Sequence, residues 1–240
     1  MEETSTAIEL DPYARDFNAP IELAPASTAL VIVDLQYSDA DRHSGLGAFK
    51  TAARRDADVA YRFDRQEQVV IPNVKRLLEC FRRHRMRVIH LRIGAALPDA
   101  SDMPPCWRPI AIATNAIVGQ HEHDFLEAVK PKADELVVNK RSASPFNTTA
   151  IDNVLRNLRI ETLIVVGVST NMCVESTVRD AADRGYGVIV VEDCCGADTP
   201  DYHEASLRSM SRVFARVVDL AHVLEVLDCI GKSQPTTHAS

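Results

Sequence analysis

The chain has 240 residues, 46% of them hydrophobic, and a formal net charge of −7 with a pI near 5.6. That length and composition suit one α/β domain with a sizeable core, while the acidic balance and the lack of a long basic stripe argue against a nucleic-acid partner. Met1–Pro20 is acidic without an apolar core and no stretch approaches the roughly 18 apolar residues of a membrane span, so neither a signal peptide nor a membrane is expected and a cytoplasmic location is.

The pattern divides the chain into an N-terminal arm (1–26), one domain (27–230) and a polar tail (231–240). Ala29–Leu35, ALVIVDL, predicts an apolar strand interrupted by Asp34 near its end. Residues 37–65 are polar and irregular, with Gly45 and Gly47, and predict a lid or binding loop. Pro72 suits a first helical turn, and Val74, Leu77, Leu78 and Phe81 recur at helical spacing. The arginines that end this helix, Arg82, Arg83, Arg85 and Arg87, read as a solvated last turn that complements the helix dipole. Arg87–Ile93 predicts the next strand, the proline-rich 98–109 with Trp107 a loop, and 124–128 a short helix. Strands then follow at 135–140, 161–166, 188–192 and 217–218, with helices at 148–158, 173–185, 202–214 and 221–227. Six strands alternating with helices predict a three-layer α/β/α domain, Rossmann-like, around a mostly parallel sheet.

In such a sheet a ligand binds outside the carboxyl ends of the strands. Asp34, Lys140 and Cys173 all fall there. Taken singly, Asp34 and Lys140 read as an ion pair and Cys173 as a small buried hydrophobe. Jointly they make a nucleophile site: a carboxylate takes the thiol proton, an ammonium holds the thiolate, and the acid returns the proton to a leaving amine. Cys173 is expected to open its helix, where unpaired N–H groups and the dipole favour thiolate. The six cysteines show no CxxC pair and no Cys/His spacing typical of zinc sites, so reduced thiols and no metal are expected.

Three stretches, ALVIVDLQ, NKRSASPFNTTAID and GVSTNMCVESTVRDAADRGYGVIVVEDCCGA, resemble the signatures of the isochorismatase-like cysteine hydrolases. The resemblance covers roughly residues 27–220, and the third stretch is the most specific. It implies an isochorismatase-like fold and an Asp34–Lys140–Cys173 triad that hydrolyses a C–N bond in a linear amide through a thioester-like intermediate, with no cofactor. It also implies a cis peptide at Val168–Ser169 and an oxyanion hole from the backbone N–H groups of Ser169 and Cys173. The family commonly forms dimers or tetramers, and a homo-oligomer with a small-molecule substrate is expected.

Two departures narrow the reading. The nicotinamidase metal site lies in a WHP-like stretch after the second strand, where this chain has HLRIGAAL; Asp39, Asp41 and His43 imitate a metal cluster only weakly. Isochorismatase itself belongs to the branch without the cysteine. Few aromatic residues near the site favour a small polar substrate, a ureido or carbamoyl compound such as biuret or triuret. An amidase of the N-carbamoylsarcosine, ureidoacrylate or nicotinamide type, or a non-catalytic binding protein on the same fold, is the alternative. Gln36 and Tyr37 either bind an amide edge and close an apolar wall or are ordinary loop residues. Ser144, Phe146 and Asn171 complete the candidate substrate contacts, and Arg141 reads as solvent-exposed.

Overall fold

Thr28–Val33 forms β1 and Thr162–Val168 forms β4, and every residue of both is buried, as expected of parallel strands covered on two faces. With β2 (Arg87–Ile93), β3 (Leu136–Lys140), β5 (Gly187–Gly196) and β6 (Arg216–Val218) they make one six-stranded sheet, order β3-β2-β1-β4-β5-β6, in which every pairing is parallel. The computed structural model describes residue 21 and residues 23–233, the last five by backbone alone. The arm expected over 1–26 and the tail expected over 231–240 lie mostly outside those residues, although the final helix continues through Ser233.

The helices are α1 (Tyr37–Ala40), α2 (Gly45–Ala52), α3 (Ala60–Arg65), α4 (Ile71–Arg83), α5 (Arg108–Ala113), α6 (Ile151–Asn157), α7 (Glu175–Asp183), α8 (Pro200–Ser211) and α9 (Leu220–Ser233). Alternate residues of β1 and β4 point to opposite faces. Ala29, Val31, Leu163 and Val165 pack under α6, α7 and α8 through Leu155, Val178 and Leu207. Leu30, Ile32, Ile164 and Val166 pack under α4 and α9 through Leu77, Phe81 and Leu227. Each of the valine, leucine, isoleucine and phenylalanine side chains contributes about 1.5–3 kcal/mol over leaving it in water. The expected three layers follow.

One stretch differs from expectation. Residues 37–65 are not an open loop: α1, α2, a short turn at Asp56–Val59 and α3 occupy them, and α3 runs through a widened turn at Gln66–Val70 straight into α4. No apolar periodicity announces α3 because its buried face carries a cation, Arg62, which is 4% exposed beside Phe63. Strand β5 also runs to Gly196, beyond the expected 192, because the polar Glu192 and Asp193 interrupt its apolar pattern without ending it.

Neighbour order reverses at β1 and β4: β2 and β3 lie on one side, β5 and β6 on the other. A ligand crevice is expected outside the carboxyl ends of these two strands. Gly167, which terminates the apolar run of β4, has φ +117°, and a Cβ there would lie 2.1 Å from Val33 O. Only glycine lets the two strands approach so closely.

Candidate active site

Asp34 follows β1 with φ +51°, while its N–H still bonds Leu91 O at 3.0 Å. That left-handed turn costs roughly 1–2 kcal/mol for an L-residue, less for aspartate than for most. Lys140 ends β3 in register with Ile93 of β2, so its side chain must cross the end of β2 to reach β1. It does so fully buried. Its three ammonium protons find three acceptors: Asp34 Oδ2 at 2.7 Å, Cys173 Sγ at 3.2 Å and Ser142 O at 3.2 Å. The three residues that the sequence placed at strand ends therefore meet around one nitrogen.

Their protonation follows from burial and mutual charge. Burial raises the Asp34 carboxyl to about 6 against the pull of Lys140, with Asp39 adding to the rise. Burial works against the Lys140 ammonium, but the charges of Asp34 and Cys173 more than offset it and hold its pKa above the usual lysine range. The Cys173 thiol is pushed up, first by burial and then by Asp34, although Lys140 opposes both. The expected thiolate is thus corrected: at neutral pH the ground state is Asp34 carboxylate, Lys140 ammonium and Cys173 thiol. A helix dipole is legible in a sequence and depth is not: Cys173 is only 5% exposed.

Cys173 also does not open its helix. The first turn is Thr170–Val174, widened so that Val174 N donates to Ser169 O at 3.2 Å, and α7 continues from Glu175. Gly185, with φ +88°, stops α7 as expected. The Val168–Ser169 peptide is cis, as the resemblance implies.

Residues that sequence reasoning missed grip this turn from outside. Arg62 Nη1 donates to Ser169 Oγ at 2.7 Å and to Asp198 Oδ1 at 2.6 Å. Arg65, one turn on, donates to Cys195 O at 3.0 Å and meets His203 Nε2 at 2.9 Å. Because a guanidinium only donates, Nε2 accepts, so the proton sits on Nδ1 and is given to Thr170 Oγ1 at 2.8 Å. Burial lowers the His203 pKa and favours that neutral form. Ser206 Oγ lies 3.1 Å from Thr170 O. Ser169 and Thr170 are the points where α3 and α8 hold the turn. Two arginines three apart in a polar stretch carry no signal of this.

The weaker candidates fall variously. Gln36 is buried, and its amide exchanges hydrogen bonds with the Ile93 backbone at 2.7 and 2.9 Å and donates to Ser38 Oγ at 2.7 Å. Of its two readings the geometry favours the structural one. Tyr37 is half-buried and stacks on His121 with centroids 4.2 Å apart. Ser144 caps the turn at Phe146 N, 3.3 Å away, and Phe146 packs near Tyr186 with the Arg184 guanidinium 4.9 Å over its ring. Asn171 Oδ1 is buried without a hydrogen-bond partner. Arg141 is paired with Asp102 at 2.6 Å.

Among the described residues, Asp39, Asp41 and His43 do not converge; the one group of three such side chains close enough to share an ion is Cys80, His84 and Asp228, on α4 and α9. Cys80 lies on the last turn of α4 and His84 caps its end, four residues on. A cavity of about 390 Å³ opens at the amino ends of β2 and β3, between Arg82, Arg85, Arg87 and Lys132. Arg82, expected to be solvated, instead forms a two-pronged pair with Glu135 at 2.7 and 2.8 Å. That cavity is larger than the cleft beside the triad, but it holds no nucleophile, so chemistry rather than size locates the candidate site.

The model of the isochorismatase domain matches residues 28–222. A ureidoacrylate amidohydrolase of Acinetobacter baylyi is 27% identical over 231 residues, which cover 90% of this chain and 87% of that protein. A maleamate amidohydrolase of Pseudomonas putida is 30% identical over 140 residues, 58% of this chain and 66% of that one. The crystal structure of a cysteine hydrolase from Pseudomonas syringae superposes with a TM-score of 0.69 at 26% identity, covering 86% of this chain and 95% of that one. An N-carbamoylsarcosine amidase from Thermoplasma acidophilum shares the fold, with a TM-score of 0.60 at 24% identity over 81% of this chain and 96% of that one. With six parallel strands in this order, a cysteine turn after β4 and the domain model spanning the sheet from β1 into α9, the chain belongs to the isochorismatase domain family.

Proposed function

We propose that this chain is a cysteine-dependent amidohydrolase that cleaves a C–N bond of a small linear amide, of the ureido or carbamoyl class exemplified by biuret and triuret. The observation that carries the reading is the Lys140 ammonium shared between Asp34 Oδ2 and Cys173 Sγ. Asp34 removes the thiol proton as sulfur attacks the carbonyl carbon, and Lys140 stays charged beside the forming thiolate. The oxyanion is received by the backbone N–H groups of Ser169 and Cys173. Asp34, now protonated, gives that proton to the leaving nitrogen, the C–N bond breaks, and a thioacyl enzyme and free amine or ammonia result. Water then attacks the thioacyl carbon with Asp34 again as base, releasing the acid and restoring the thiol. A carboxyl raised to about 6 suits both halves of this cycle, since a shuttle works best with a pKa near the working pH.

The relatives named amidohydrolases support the reaction class. An ammonia-release screen over ureido compounds and simple carboxamides tests it: turnover is expected in the wild type and absent in Cys173→Ala, and turnover surviving that substitution refutes the mechanism. The chain also acts as a homo-oligomer in this reading. Arg62 and Arg65 tie residues 37–65 to their own domain, while Leu97, Ile110, Ile112 and Val118 stay exposed. A light-scattering mass of 26.5 kDa, that of one chain, would rule the oligomer out.

A further inference from the structure

Beside the triad, a narrow cleft of about 20 Å³ runs between the end of β2 and α5, lined by Asp39, Ile93, Gly94, Met103, Trp107 and Ala111 among others. It adjoins the triad through Gly94, whose N–H donates to Lys140 O at 3.1 Å, and the charge of Asp39 acts on Asp34. Its volume admits little more than one water-sized group, the tip of a substrate rather than its body.

Asp39 is the charged side chain in that wall, and no lysine or arginine lines it. Of the neighbouring cations, Arg62 is shared between Asp198 at 2.6 Å and the Asp39 carboxylate at 3.9 Å, Arg141 pairs with Asp102 at 2.6 Å, and Arg108 donates to the carbonyls of Met103 and Ser101. The backbone at Asp39 is clamped, its carbonyl accepting from Arg62 Nε at 3.1 Å, Arg62 Nη2 at 2.9 Å and Gln66 Nε2 at 3.4 Å. One carboxylate oxygen accepts from Ser38 Oγ at 2.5 Å, and the other stands 3.9 Å from Arg62, which leaves acceptor capacity toward the cleft.

Resting on the amidohydrolase reading above, we propose that Asp39 is a specificity-determining residue that accepts hydrogen bonds from the terminal NH₂ of a neutral carbamoyl substrate and rejects substrates ending in a carboxylate. Asp39 and Asp198 share the single Arg62 cation, so the wall keeps a negative excess that repels a like charge and pairs well with N–H donors. Asp39 acts on the far end of the substrate, away from the scissile carbon.

Biuret and N-carbamoylglycine test this, since both present a ureido carbonyl and only the second carries a carboxylate. Wild type is expected to prefer biuret in kcat/KM, and Asp39→Asn, which keeps the shape and removes the charge, to narrow that preference at least tenfold, chiefly through KM. Protection of Cys173 from iodoacetamide by each compound gives the same comparison as a binding ratio, and Asp39→Ser repeats it should the asparagine variant misfold. A wild type that prefers N-carbamoylglycine, or a preference unmoved by either substitution, overturns the assignment. Should wild type turn over neither compound, the amidohydrolase reading fails on these substrates while the protection ratio still decides the role of Asp39.

Discussion

Replacing Asp34 by Asn should make Cys173 more reactive and the enzyme less active, a pair of opposite effects that follows from the shared lysine. Asp34 Oδ2 and Cys173 Sγ lie 2.7 and 3.2 Å from Lys140 Nζ, hence within about 6 Å of each other. Two unit charges at that separation interact by about 3 kcal/mol at an effective dielectric near 20, about two pK units. The asparagine removes this upward push on the thiol and leaves the Lys140 ammonium without its counter-ion. Iodoacetamide labelling of Cys173 at pH 7, followed by mass spectrometry, should therefore run at least tenfold faster than in wild type. Ammonia release should fall about 100-fold or more, because general acid–base transfer typically contributes 10²–10⁴-fold and the proton carrier is gone. In wild type, kcat/KM should drop tenfold per pH unit below about 6 as Asp34 becomes protonated. The sign excludes an unfolding artefact from this group: a carboxyl whose pKa is raised on folding binds its proton more tightly in the native state, so acidification through the window between about 4 and 6 stabilises through Asp34. Labelling no faster than wild type, or turnover within tenfold of it, would show that the roles of Asp34 and Lys140 are misassigned.

Arg62→Gln breaks the grip on Ser169 and Asp198, so kcat should fall about 10- to 100-fold from misplacement of the turn; an unchanged kcat in a folded variant contradicts the brace. Glu135 is held at about 2, because the Arg82 pair, the Lys132 N–H and His90 together outweigh its burial. Glu135→Gln should lower stability by about 2 kcal/mol, some 4–8 °C in Tm for a chain of this size, and the wild-type contribution should fade as pH drops from the usual carboxylate range through about 2; a calorimetric scan showing neither refutes the role. Gly167→Ala should cost about 3 kcal/mol or more, since any Cβ meets Val33 O at a φ that L-residues avoid, and a wild-type melting curve would contradict the close approach of β1 and β4.

The sequence by itself determined the parts of this protein that depend on local pattern. The apolar runs within 29–35 and 161–166 could only be buried strands, Val74, Leu77, Leu78 and Phe81 could only be one helix face, and the alternation of strands with helices dictated a parallel sheet. Because a parallel sheet presents its strand ends on one side, Asp34, Lys140 and Cys173 were legible as one constellation before any distance was known. What the tertiary structure alone decided is what depends on contacts between residues far apart in the chain. The depth of Cys173 sets its proton against the helix dipole, since desolvation of a buried thiolate outweighs a partial charge at a helix end. Arg62 reaches the cysteine turn directly and Arg65 reaches it through His203, across more than a hundred residues, which no spacing rule encodes. Gln36 turned inward to the end of β2, whereas Asp39, three residues on, remained to face the cleft; that choice was made by where Ile93 and α5 packed.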